Sequence, residues 1–268
     1  MAFKIGAMAE SFRKNTFREA VETAARLGVT GIQVYITYKS ELLNADDMTD
    51  SKIAEVMDIM KSNGLIFSAI CGDMGYGFED KNENPIYIER SKKVLDIAKK
   101  LDCNIVTTHI HMVPEVECET TEILRNACNQ LASYADSIGS CFALETGPEP
   151  GSRLAKFLSS LDTKGVKVNF DPANLVMCAG DDPVDAVEHL KDYIVHTHAK
   201  DGRKTGKDTY IELPLGTGDV DFDKYLKKLA DIGFDGYLTI EREVGDTPYD
   251  DIKLAYDFLC EKKAKLHV

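Results

Sequence analysis

Three carboxylates and one imidazole stand in equivalent local contexts along this chain. Glu145, Asp171, His198 and Glu241 each close a short apolar run, and loop-like sequence follows each at once: Thr-Gly-Pro, Pro-Ala-Asn, Ala-Lys-Asp-Gly and Arg-Glu-Val-Gly. Taken alone, any one of them reads as a solvated strand end or a helix cap. Brought to one place they read differently, because three carboxylates converging within a few ångströms repel one another and raise their own pKa values unless a cation neutralises them. Three hard oxygens and an imidazole nitrogen suit one divalent ion, Mn²⁺ first, with Mg²⁺, Co²⁺ or Zn²⁺ as alternatives, and leave coordination positions for substrate oxygens.

The elements that could bring the four together are legible in the rest of the chain. Short β-branched runs alternate with longer segments of helical period eight times. The predicted strands are Phe3–Ala7, Gly31–Ile36, Ile66–Ile70, Asn104–His109, Cys141–Glu145, Lys167–Asp171, Ile194–His198 and Tyr237–Glu241, with starts 26 to 43 residues apart. Asn84-Pro85, Asp182-Pro183 and Thr247-Pro248 each offer a capping oxygen followed by proline at the first helical position. Gly28 and Gly64 end the first and second helices. Eight such units predict an α/β chain folded as a single (β/α)₈ TIM barrel over residues 1–268, in which chemistry collects at the C-terminal ends of the strands. Strands five to eight end in the four residues above. The longest irregular stretch, Ala199–Val220, follows strand seven, and a loop of that length in a compact domain is usually functional.

Composition narrows the partners. The 268 residues are 44% hydrophobic and carry 32 Lys and Arg against 45 Asp and Glu, a formal charge of −13. That balance argues against nucleic acid or an anionic membrane as ligand. No apolar run approaches the roughly 20 residues of a membrane span, and the start Met1-Ala-Phe-Lys-Ile-Gly-Ala has no signal-peptide architecture, so a cytoplasmic location is expected. The seven cysteines are scattered with no Cys-x-x-Cys spacing and read as reduced, mostly core residues. The sequence leaves self-association into a homo-oligomer open.

The segments Ala143-Leu-Glu-Thr-Gly, Asn169-Phe-Asp-Pro-Ala-Asn-Leu, His196-Thr-His-Ala-Lys-Asp, Pro214-Leu-Gly-Thr-Gly-Asp-Val-Asp-Phe and Thr239-Ile-Glu resemble the xylose-isomerase-like TIM barrels known as sugar phosphate isomerase/epimerases. The resemblance covers essentially the whole chain and is strongest from 143 to 243. Its ketose 3-epimerase branch implies one metal held by Glu145, Asp171, His198 and Glu241, with Glu145 and Glu241 also serving as the acid–base pair. The sequence departs where those epimerases, and the DNA-repair endonucleases of the same superfamily, carry Asp-x-x-His: here the position is Asn174. For an endonuclease this removes a ligand of a multi-zinc site; for an epimerase it removes a substrate contact, and Asn174 is the candidate substrate-binding residue in that place.

Among the remaining polar residues, His196 shares a face with His198 one layer deeper and reads as a hydrogen-bonded interior histidine, with Asn169 and Thr239 in the same layer. His109 and His111 share a face after strand four, and His109 is the expected substrate contact. Lys200 keeps parity with His198 and is either a mouth cation or a surface lysine paired with Asp201. Arg203 resembles in position the arginine that epimerases use on substrate hydroxyls. Gly216-Thr-Gly-Asp219 reads as a turn before a helix capped near Asp221, and Tyr35 and Phe12 as core packing. The expected function is metal-dependent epimerisation or isomerisation of a small polyhydroxylated ketone by proton abstraction and reprotonation through an enediolate. The alternatives are an inosose-type dehydratase of the same superfamily and a non-catalytic sugar-binding barrel.

Overall fold

The computed structural model describes residues 3–266. Eight parallel strands form the framework: β1 (Lys4–Met8), β2 (Gly31–Thr37), β3 (Ile66–Cys71), β4 (Ile105–Thr108), β5 (Cys141–Glu145), β6 (Val166–Phe170), β7 (Ile194–Ala199) and β8 (Tyr237–Ile240). Each pairs with its sequence neighbours, and β1 pairs with both β2 (Gly6↔Gly31) and β8 (Lys4↔Tyr237), which closes the barrel. The eight predicted strands are all present, with ends shifted by a residue or two. Closure needs a close approach at Gly31, where an added Cβ would meet the Tyr237 ring at 2.4 Å.

The helices pack their apolar stripes on the outside of this barrel. Thr16 caps Phe17–Leu27 by accepting from the Glu19 N–H, and Gly28, at φ +102°, ends it. Asp182 caps Pro183–Leu190 and Asp221 caps Phe222–Asp231, both through side-chain oxygens. Asn84 is not a cap. Glu83 takes that position, and the Asn84 amide instead donates to the Phe78 carbonyl, tying down the preceding loop.

Strand alternation sends Ile32, Val34 and Ile36 outward into the helix layer and leaves Gln33 inside. The lumen below the mouth is polar, unlike the branched aliphatic filling usual in such barrels. Gln33, Ser68, Thr107, Asn169, His196 and Thr239 are all buried there. The segment after β7 is not irregular: Asp201–Lys204 and Tyr210–Leu213 pair as an antiparallel hairpin over the mouth.

Candidate metal centre and active site

The ends of four adjacent strands meet at the C-terminal mouth. Glu145, Asp171, His198 and Glu241 each present a ligand atom, all within 4.8 Å of one another. His198 Nδ1 lies 3.4 Å from Glu145 Oε1, 3.5 Å from Asp171 Oδ2 and 3.2 Å from Glu241 Oε2.

Local structure explains how each is aimed. Asp171 follows β6 and opens the turn Pro172–Asn174. Its Oδ1 accepts from the Ala173 and Asn174 N–H groups, an N-cap that leaves Oδ2 facing the centre. Glu145 is held by two amides, Asn169 Nδ2 on Oε2 at 2.9 Å and Asn174 Nδ2 on Oε1 at 3.0 Å. Lys200 Nζ donates to Glu241 Oε2 at 2.9 Å. His198 Nε2 meets Gln33 Oε1 at 2.9 Å. When Nε2–H donates there, Nδ1 carries the lone pair that points at the carboxylates.

Two buried atoms at the heart of the cluster, Asp171 Oδ2 and His198 Nδ1, have no hydrogen-bond partner. Every other polar atom of these two side chains is satisfied. Buried orphans of this kind are rare, and a cation between them would satisfy both. The donor set, three carboxylates and one imidazole, fits a divalent ion of the Mg²⁺, Mn²⁺, Co²⁺ or Zn²⁺ type. Electrostatics agree: burial pushes the His198 pKa down, yet the negative charges of Glu241 and Glu145, with the Asp171 carboxylate close by, lift it well above the ordinary value. The place where Nδ1 sits thus favours positive charge. Burial opposes ionisation of Glu241 too, but His198 and Lys200 hold its carboxyl well below the usual range.

A cavity of about 500 Å³ opens above the cluster. Lys200 enters it almost fully buried, bonded also to Glu243 Oε1 at 2.6 Å, so it is a mouth cation rather than a surface lysine. His109 lines the cavity, its Nδ1 2.7 Å from Asp73 Oδ2 and its Nε2 3.5 Å from Glu145 Oε1. Burial depresses the His109 pKa, but Glu145 and the Asp73 hydrogen bond outweigh it and raise it to about 9. His111 faces outward, largely exposed, in the left-handed region at φ +73°. Asn174 lines the cavity and also donates to Thr146 O, so the residue in the Asp-x-x-His position orients Glu145.

Other expectations change. Arg203 is half exposed, paired with Asp219 through its Nε at 2.7 Å, and does not line the cavity. Tyr35 is cavity wall rather than core packing, whereas Phe12 is core. His196 is interior: Nδ1 bonds Asn169 Oδ1 and Nε2 accepts from Thr239 Oγ1, and burial together with the neighbouring His198 keeps it neutral. Gln33 was not singled out by sequence. The available signal was an amide inside the apolar run Gly31–Ile36, since a fully buried amide must find partners.

A closed parallel barrel with its polar cluster at the C-terminal mouth defines a class of enzyme scaffold. The xylose isomerase-like TIM barrel model matches residues 21–262, and the chain belongs to that family, which includes epimerases, isomerases and dehydratases. An uncharacterised Methanocaldococcus jannaschii protein is 27% identical over 194 residues, covering 67% of this chain and 64% of that one. An inosose dehydratase from Clostridium botulinum is 24% identical over 263 residues, covering 86% of this chain and 83% of its own. Among solved structures, a xylose isomerase domain protein from Planctomyces limnophilus superposes with TM-score 0.85 at 24% identity, covering 98% of both chains. A D-tagatose 3-epimerase-like protein gives 0.78 at 18%, covering 99% of this chain and 100% of that one. Among the described residues no helix is long and apolar enough to cross a membrane.

Proposed function

We propose that the protein is a divalent-metal-dependent isomerase or epimerase of a small polyhydroxylated ketone. Glu145, Asp171, His198 and Glu241 would hold the ion, which when bound supplies Lewis acidity that acidifies a C–H beside a carbonyl. The chain's own residues do the rest. Glu145 and Glu241 come from β5 and β8, with Asp171 and His198 on the strands between, so the two glutamates flank what enters from the mouth. One takes the proton from the carbon beside the carbonyl and the other returns one, the order following substrate stereochemistry. Asn169 and Asn174 orient Glu145, Lys200 orients Glu241, and His109 offers a ring nitrogen to substrate oxygens.

The single observation that carries this reading is the pair of glutamates, Glu241 buried and Glu145 partly so, each held by separate donors at one cavity floor. The experiment is turnover of an accepted ketose in D₂O. Wild type should place deuterium on the carbon beside the carbonyl, and Glu145→Gln and Glu241→Gln should each lower kcat by at least about 100-fold, the usual scale for a lost acid or base. Product formed with no solvent deuterium would point to a hydride shift and end the proton-transfer assignment.

A dehydratase reading is favoured by the inosose dehydratase relatives and by the Lys200 ammonium, which stands beside Glu241 where a departing β-hydroxyl could be protonated. Its sign is a product one water lighter than the substrate.

A further inference from the structure

We propose that the substrate is bipartite: a ketone-bearing sugar ring on the charged floor, joined to an apolar substituent that rests on the rim, as in a glycoside with an alkyl or aryl aglycone. The inference rests on the floor being the reaction site proposed above, and it concerns what the rest of the cavity selects.

Most large apolar side chains of this protein are buried. Of those left exposed among the described residues, Tyr210 (56%), Ile211 (47%) and Val244 (47%) line the same cavity as Glu145, His198 and Glu241. They come from two separate loops, the hairpin after β7 and the segment after β8, yet share one mouth. Met177 and Cys178 extend the apolar wall inward. These two sit on the π-helical turn Leu175–Ala179, an arrangement frequent at functional sites.

The wall is built and held. Gly202 lets the hairpin lie on the turn, since an added Cβ would meet Met177 Sδ at 2.3 Å. Lys204 Nζ donates to the Cys178 carbonyl at 3.0 Å. Glu212, beside the apolar pair, is fixed by Arg242 Nη1 at 2.6 Å. Apolar surface kept rigid and open at the mouth of a polar site marks a binding surface rather than scattered exposure.

Chemistry decides what it binds. A free ketose is polar on every edge and would leave the rim wet. Among the described residues a phosphate would find no free cation at this mouth: Lys200 is neutralised by Glu241 and Glu243, Arg242 by Glu212 and Asp251, and His109 by Asp73 and Glu145, while Glu212 and Glu243 themselves line the cavity. An apolar group covers Tyr210, Ile211 and Val244 and gains the burial. The cavity volume, about 500 Å³, falls in the range of roughly 300–1,000 Å³ that accepts ligands larger than one sugar ring.

Two ketone-bearing glycosides differing only in the aglycone, methyl and phenyl, give the test. The expected kcat/KM is at least about tenfold higher for phenyl, the scale of one buried and stacked ring. In the Tyr210→Ser/Ile211→Ser double variant, whose replaced side chains are exposed, the ratio should fall to about one. A second arm needs no turnover: calorimetry with the unoxidised phenyl and methyl glycosides should show the same preference and the same loss. Preference without turnover of either ketone would sustain the rim while removing the proposed reaction. A wild-type ratio near one in both arms overturns the inference. So does a double variant that keeps the preference but converts an oligomer to monomers, which would make the rim a subunit interface.

Discussion

At His198 the two ring nitrogens have different tasks, and a residue far away in sequence separates them. Gln33 Oε1 takes the Nε2 side at 2.9 Å while its own Nε2 donates to Thr107 Oγ1 at 2.9 Å, so the amide cannot rotate without breaking both bonds. Fixing the tautomer from behind is what makes a histidine a good ligand. Gln33→Leu keeps the volume roughly and removes the anchor; we expect divalent-ion affinity to fall about 10- to 100-fold with the fold retained, measured by metal titration of wild type and variant. Unchanged affinity would mean that Gln33 merely fills the lumen. The strand-end residues were legible because each closes an apolar run at the place where a barrel keeps its chemistry. Gln33 and Tyr35 were not, because within one strand nothing tells the lumen face from the helix face when both are buried. Arg203 misled for a related reason: its count from His198 is close to the family spacing, but the hairpin turns that position outward to Asp219.

The element that most shapes the mouth is the segment after β7, which sequence reads as a long loop. Its strands, Asp-Gly-Arg-Lys and Tyr-Ile-Glu-Leu, carry no apolar alternation because they pair over the mouth and bury little. Asp201 organises it. Its Oδ1 accepts from Gly202 and Val220 N–H and its Oδ2 from Gly216 and Gly218 N–H, so one buried carboxylate closes the base of the hairpin and the turn that follows. Removing it leaves four amides without their acceptor. Asp201→Ala should cost about 3 kcal/mol, given roughly 1.5–3 kcal/mol for a bond to a charged group and partial rescue of exposed amides by water. It should also speed hydrogen exchange at Gly216, Gly218 and Val220. A variant with wild-type melting and protection would show that the hairpin is held elsewhere. Asn84 teaches the reverse lesson about elements: the Asn-Pro signal marks a real helix start, but tertiary demand from the Phe78 carbonyl took the side chain away from capping.

Across the whole molecule, the barrel's parity and closure turn four separated strand ends into one cluster, and the polar lumen beneath orients them. The fold was therefore almost fully legible, since eight repeats of one pattern leave few ways to bury them, and the cluster followed from the fold. What binds above it was not legible, because the rim is assembled from loops whose contacts are long-range. The net charge of −13 adds a diffuse pull on cations, but among the described residues it is the four-residue cluster that places two orphaned buried atoms side by side to receive one. The most direct measurement is elemental analysis of the protein after incubation with Mn²⁺ and desalting, with His198→Ala alongside. About one ion per chain is expected in wild type, as a single four-residue ligand set requires, and a marked loss in the variant. A wild-type chain that retains no metal, or a variant that retains as much as wild type, would contradict it.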